Sequence, residues 1–198
     1  MDPRFRRSRH ALRAAVLELA AGMPVAEVSV TAICREAGVT RTTFYQHAAS
    51  PTDLLADALG DEIAQVIAMF QDDDGSIRAG AGFRDSERAL LQHIADRAVV
   101  YRGALSPHLL PQLRANIERV IRTGLVAHLH RYPSSLPRGV VATDESALHL
   151  LAAYAAGGTV AAIELWLVDE PADVERGVRL IFAASPDFWF AGTGESRH

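Results

Sequence analysis

Residues 30 to 55 read VTAICREAGVTRTTFYQHAASPTDLL, and the fold is decided here. Apolar residues recur at helical spacing on either side of Ala37-Gly38-Val39, which predicts two short helices crossing steeply around a tight turn. Ser29 or Thr31 is suited to cap the first, and Thr40 caps the second, which runs through His47. Between them Gly38 supplies the left-handed backbone that a tight turn needs. Ile33, Ala37, Val39 and Phe44 form the shared centre, and Ala37 must be small because a larger side chain would push the helices apart. Turning those residues inward leaves Thr42, Thr43, Gln46 and His47 largely on the free face of the second helix, with Arg41 at its start.

That free face is a set of donors and acceptors, mostly without formal charge, sized for base edges and phosphate oxygens in a major groove. Thr31, at a helix N-terminus, adds a phosphate contact helped by the helix dipole. Upstream, a helix from Ser8 to Ala21 buries Leu12, Ala15, Val16, Leu19 and Ala20. Arg4, Arg6, Arg7, Arg9 and Arg13, less Asp2, give the first 13 residues a charge of +4 and suggest an arm that follows a DNA backbone. A hairpin that merely packs would explain the Ala-Gly-Val turn by itself. The cap, the Phe44-Tyr45 pair, the polar face and the basic arm together favour DNA binding.

On these residues the chain resembles the tetracycline-repressor (TetR) family. The pattern is Val30, Ile33, Ala37-Gly38-Val39, Thr40-Arg41, Thr43-Phe44-Tyr45 and, after eight residues or so, Asp53-Leu54-Leu55. The resemblance implies an all-α regulator with a helix-turn-helix head and a helical body that binds a small molecule and dimerises. It implies that Tyr45 contacts a phosphate, that Thr43, Gln46 and His47 face the groove, and that Arg41 approaches the backbone or a base. The chain departs from the family at Ala48, where a Phe is usual, and at Pro51, where a lysine commonly opens the fourth helix and contacts phosphate.

Outward from the motif, Ser50 and Pro51 open a long helix towards Gln71. Asp72 to Asp74 with the glycines at 75, 80 and 82 mark a linker, and Asp85 to Tyr101 makes a fifth helix. Pro111 forces a break or kink within 106–131, giving a short sixth helix and then a seventh. Thr143 or Asp144 caps an eighth helix reaching Val168, and Pro171 opens a ninth that ends before Pro186. The tail from Gly192 reads as frayed. The expected architecture is about nine helices, with a DNA-binding domain over 1–50 and a ligand-binding and dimerisation domain over 51–198.

The composition fits this division. Hydrophobic residues make up 49% and charged residues 22% of the 198, an ordinary globular mixture. All 20 basic residues are arginine. Residues 1–55 hold 7 arginines against 5 carboxylates, a net of +2, and the remainder 13 against 19, a net of −6. A basic head on an acidic body confines polyanion binding to one end. Cys34 is the one cysteine, read as buried packing rather than a redox switch, which excludes an intramolecular disulfide and fits a cytoplasmic protein. The charged N-terminus lacks the apolar run of a signal peptide.

Residues 147–168 raise the question of a membrane span, since His149 and Glu164 are their only His, Asp, Glu or Arg. The Ala and Gly content and Glu164 favour a helix buried on most sides instead, and no membrane partner is expected. Ala153, Gly157 and Ala161 form a small-residue stripe that lets another helix approach, and with Val174, Val178, Ile181 and Phe182 of the ninth helix they are the candidate homodimer interface. Candidate pocket residues are Phe70, His93, Tyr101, Asn116, His128, Tyr154 and Trp166, which combine aromatic walls with a few polar anchors. His128 and His130 alternate without a third ligand, so no metal is expected, and no cofactor. No nucleophile elbow, HExxH, Walker loop or Rossmann fingerprint is present, which argues against an enzyme. The sequence therefore predicts a dimeric regulator bound to double-stranded operator DNA and released by a small-molecule effector; the alternative is a helical binding module without DNA activity.

Overall fold

The computed structural model describes residues 2–78, 82–105, 109–169 and 171–190. Among them are nine α-helices: α1 Pro3–Gly22, α2 Val30–Ala37, α3 Arg41–Tyr45, α4 Pro51–Ala68, α5 Gly82–Asp96, α6 Ala98–Gly103, α7 Pro111–Arg131, α8 Glu145–Val168 and α9 Val174–Ala184. The described residues contain no strand, only isolated bridges at Gln71–Ile77 and Leu105–Leu109. The fold is all-α, as the periodicity predicts.

Contacts divide the chain into two units. The first comprises residues 1–62 and 97–116. Here α1 packs against α2 and α6, and α2 against α3. Leu12, Val16, Ile33, Phe44, Leu55, Leu59 and Tyr101 are all but sealed from solvent. Asn116 donates from Nδ2 to the carbonyl of Ala56 at 3.3 Å, and Arg97 pairs with Glu62 at 2.8 Å.

The second unit comprises residues 63–96 and 117–198. There α9 packs on α5 and α8. A Cβ added at Gly177 would lie 2.9 Å from Leu91 Cδ1 and from Trp166 Nε1, so the helices meet too closely there for any side chain. Trp166 donates that Nε1–H to the carbonyl of Asp173 at 2.9 Å, which fixes the start of α9.

Several boundaries differ from those the sequence predicts. The first helix begins at Pro3, because Asp2 accepts from the Arg4 N–H and proline sits at the first helical position. The N-terminal arginines are therefore presented by a helix rather than by an extended arm. The fifth helix ends at Asp96, where Arg97 leaves helical geometry with φ −114° and ψ 24°, and α6 follows at once. Pro111 does not kink a helix but opens α7, which then runs unbroken through Gly124. Residues 106–108, where the short sixth helix was expected to begin, Gly80 and the tail from Gly192 lie outside the described residues.

The acidic linker is a built turn. Asp72 N–H reaches the Ser76 carbonyl, Asp74 Oδ1 accepts from Ser76 N–H and Oγ, and Gly75 takes φ +80°. The ninth helix starts at Val174 under an Asp173 cap, three residues after Pro171. The largest difference concerns α8, which is not buried on most sides. Leu148, Ala152, Ala156, Val160, Ile163 and Leu167 face the unit's core, but Leu150, Tyr154, Leu165 and Val168 are 67–79% exposed. This helix is also long and apolar enough to cross a membrane by length and composition, with mean hydropathy 1.5.

Candidate nucleic-acid interface and ligand cavity

Local chemistry builds the helix-turn-helix. Ser29 Oγ accepts from Ala32 N–H, and Thr40 Oγ1 accepts from Thr43 N–H, so each helix starts on a side-chain cap. Gly38 takes φ 63° and ψ 35°, and its N–H closes α2. Phe44, fully buried beneath α3, anchors that helix on the unit's core and makes an edge contact with Tyr45. Pro51 opens α4, and Ser50 Oγ both accepts from Asp53 N–H and donates to Asp53 Oδ2.

With Phe44 inward, Arg41, Thr42, Tyr45 and Gln46 are exposed, and so is Thr31 near the start of α2. Tyr45 is 54% exposed, far above what a packed tyrosine shows. Thr43 is half-buried, with Oγ1 3.0 Å from Thr40 Oγ1. A shallow recess lined by Arg4, Phe5, Ser8, Gly38, Thr40, Thr43 and Gln46 runs between the start of α1 and the start of α3.

Two of the predicted contact residues, His47 and Arg9, also make contacts within the chain. His47 is half-buried, with Nε2 2.8 Å from Ser8 Oγ and its ring 4.1 Å from that of Phe5. Burial, with Arg9 and Arg13 close by, lowers its pKa against the pull of Asp57, so it ties α3 to α1 as a neutral imidazole. Arg9 lies 3.3 Å from Asp57 and 3.8 Å from Asp61, and Arg13 binds the same two carboxylates. Burial raises the Asp57 pKa, but hydrogen bonds and attraction from Arg13 and Arg9 outweigh it and hold the carboxyl below its usual range. These four charges clamp α1 to α4. Helical spacing could have flagged it, since Arg9 and Arg13, like Asp57 and Asp61, stand four apart. Arg4, Arg6 and Arg7 remain exposed.

The second unit holds a cavity of about 520 Å³, within the range of small-molecule sites. Its walls are Ile67, residues of α5, α7, α8 and α9, and the Pro186–Phe190 turn, with Phe83, Phe182, Trp189 and Phe190 as aromatic panels. Of the predicted pocket residues only Tyr154 lines it. Tyr101 and Asn116 belong to the first unit. Phe70 and His93 are in the second unit but off the cavity, as is Trp166, whose indole is bonded to Asp173.

His128 stands behind the wall, fully buried against Phe83 and Tyr132. Burial pushes its pKa down to about 4; the backbone groups of Trp189 and Ile77 favour its protonated form but make no well-formed hydrogen bond to the ring. His130 is exposed and 3.4 Å from Glu145, and among the described residues no three His, Cys, Asp or Glu side chains are placed to hold a metal. Cys34 is buried.

The polar group that sequence reasoning missed is Glu87. It lines the cavity with a buried Oε1 that has no hydrogen-bond partner, and burial alone raises its pKa to about 7. The only signal in the sequence was a glutamate at the apolar-facing position 87, between Phe83 and Leu90.

Solved structures superpose on nearly the whole chain. RolR without ligand covers 95% of this chain and 91% of its own, with TM-score 0.62 and 16% identity. A TetR-family transcriptional regulator from Streptomyces coelicolor covers 88% and 79%, with TM-score 0.59 and 17% identity. The dihydroxyacetone kinase operon activator DhaS covers 89% and 94%, with TM-score 0.60 and 14% identity. The chain has the TetR fold. No protein-family model and no curated protein matches its sequence. Within the TetR fold, then, the head carries its exposed polar helix on α3 and the body carries the cavity.

Proposed function

We propose that this chain is a homodimeric transcriptional regulator that binds double-stranded operator DNA through α3 and is released from it by a small molecule held in the body. The observation that carries the reading is the outward face of α3. Arg41, Thr42, Tyr45 and Gln46 stand exposed on a helix whose other side is pinned by Phe44, at a helix-turn-helix with both N-caps in place. Thr31 and Thr43 complete the contact set, with Tyr45 and the exposed Arg4, Arg6 and Arg7 on phosphates and Arg41 and Gln46 at base edges. The chain acts by binding, in the cytoplasm, and the functional division falls near residue 50.

Dimerisation rests on α8. Exposed Leu150, Tyr154, Leu165 and Val168, with half-buried Gly157 and Ala161 among them, follow one another at steps of three or four and make one apolar stripe, of which Tyr154 and Gly157 also border the cavity; Leu180 of α9 is exposed as well. Among the described residues nothing lies within 4 Å of where a Cβ on Gly157 or Gly158 would stand, and both glycines also border the cavity. A second copy crossing there buries the stripe in a four-helix arrangement, and its two-fold symmetry sets two α3 helices about 34 Å apart or a multiple of it. This cover also accounts for the apolarity of α8 without a membrane.

Release follows from α4. Ile67 of α4 lines the cavity, and Asp57 and Asp61 of the same helix hold Arg9 and Arg13 of α1. A ligand that moves α4 would reorient the head and change the α3 spacing. To swing occupancy from 1:99 to 99:1 it must favour the released state by about 5.5 kcal/mol per dimer. Repression is the simplest output, because occupying an operator needs no contact with polymerase; DhaS, an operon activator of the same fold, makes the sign a matter for a promoter fusion.

A gel shift on promoter-region duplexes tests the reading. The expected result is a discrete complex that weakens steeply between about 50 and 200 mM salt. Absence of any sequence-preferring complex would overturn it.

A further inference from the structure

We propose that the cavity of the second unit takes a monocationic ligand, an apolar ring body carrying one protonated amine, with Glu87 as its counter-ion. This rests on the reading of that cavity as the effector site and adds the ligand's chemistry. Among the described residues that line it, Glu87 is the one charged side chain; no arginine or histidine lines it. Its near neighbours in sequence are committed elsewhere. Arg84 lies over the Phe182 ring, 4.7 Å from its centroid, and Arg88 binds Glu175 at 2.8 Å and Asp85 at 3.1 Å. Glu87 thus lines an apolar cavity, and its buried Oε1 has no hydrogen-bond partner.

A buried carboxyl without a partner is costly, and such a group marks a site whose partner arrives with the ligand. The cavity's chemistry narrows what that partner is. A ligand carboxylate or phosphate would meet the Glu87 carboxyl with no cation among the lining side chains, which disfavours anions. A wholly apolar ligand would seal the carboxyl further from water and gain nothing from it. A protonated amine regains the lost hydrogen bond and Coulomb energy together in a low-dielectric setting. Phe83 and Trp189 offer ring faces and edges to an aromatic body, and such faces also favour a cation, whereas the Phe182 ring already carries Arg84 and stacks on Phe190. The burial that lifts the Glu87 pKa to about 7 leaves the carboxyl partly protonated at neutral pH, and an arriving cation would draw that proton off.

The test uses the full chain and three probes with one body, a naphthylbutyl group ending in an ammonium, a hydroxyl or a carboxylate. Affinities are read by calorimetry at pH 8, for the wild type and for E87Q, which keeps the shape and removes the charge. The ammonium probe is expected to bind the wild type at least ten-fold tighter than either other probe. In E87Q that preference should vanish, with the alcohol held within about two-fold as the check that the cavity is intact. Equal affinities for all three probes in the wild type would overturn the proposal. So would an ammonium preference that survives in E87Q, or tightest binding by the alcohol or the carboxylate. Gel shifts with the same probes separate the two readings: Glu87-dependent binding that leaves the DNA complex untouched defeats the effector role and keeps the ligand chemistry, whereas release by the alcohol alone does the reverse.

Discussion

The uncovered faces of α3 and α8 are chemical opposites. The uncovered side of α3 is Arg41, Thr42, Tyr45 and Gln46; that of α8 is Leu150, Tyr154, Leu165 and Val168. Water solvates the first at little cost, so what binds there must exchange hydrogen bond for hydrogen bond, and attachment is reversible and governed by salt. Water solvates the second poorly, so what covers it is held by the area removed from water, at roughly 25 cal/mol per Å², and stays. One chain thus carries a face suited to a partner that comes and goes and another suited to a permanent one.

The comparison breaks most sharply at α8. Leu165→Glu combined with Leu150→Glu should convert the dimer to a monomer in sedimentation and lower operator affinity by a hundred-fold or more, with helical content unchanged. A dimer that persists would move the interface elsewhere. Next comes α3, where Arg41→Ala or Tyr45→Ala should each weaken operator binding about 5- to 150-fold, the range of about 1–3 kcal/mol for a base or phosphate anchor, without altering the dimer. Changing Arg4, Arg6 and Arg7 together to Gln should flatten the log–log salt dependence by up to about 2.7, or 0.9 per phosphate contact. An unchanged slope would remove the start of α1 from the interface.

The buried groups give smaller effects of opposite sign. Glu87 titrates near 7 when folded and near 4.5 when unfolded, so between those pH values the folded state holds the extra proton and stability falls as pH rises. E87Q should therefore raise the melting temperature at pH 8 and change it little at pH 4.5. His128 titrates near 4 when folded and near 6.5 when unfolded, so the unfolded state holds the extra proton in that window and stability falls as pH drops. His128→Phe should flatten the acid side of the stability profile, read by thermal melts from pH 7 to pH 4. The smallest effect is expected from Ser29→Ala, about 1 kcal/mol for one N-cap.

The same contrast explains what the sequence made legible. The head is written locally: caps at Ser29 and Thr40, a glycine at 38 and an aromatic at 44 are all within sixteen residues and dictate one geometry. The contents of the cavity are not local. Glu87, Tyr154, Phe182 and Trp189 border one cavity only because α5, α8, α9 and the turn after α9 pack together, and spacing along the chain carries no record of that. Contacts of candidate DNA-binding residues within the chain are not local either. His47 and Arg9 have the right chemistry for DNA, but Ser8, Phe5, Asp57 and Asp61 reach them first, across 39 to 52 positions of sequence. The exposure of α8 was missed because composition reports how apolar a helix is and not what covers it.

The central claim is that the outer face of α3 reads duplex DNA. Selection of the full chain on a random duplex library, followed by hydroxyl-radical footprinting of the enriched sequence, tests it directly. The account predicts a palindromic site with two protected half-sites about one helical turn apart, or a multiple, lost in the Arg41→Ala, Tyr45→Ala double variant. A library that yields no enriched sequence, or a footprint that survives in the double variant, would contradict it.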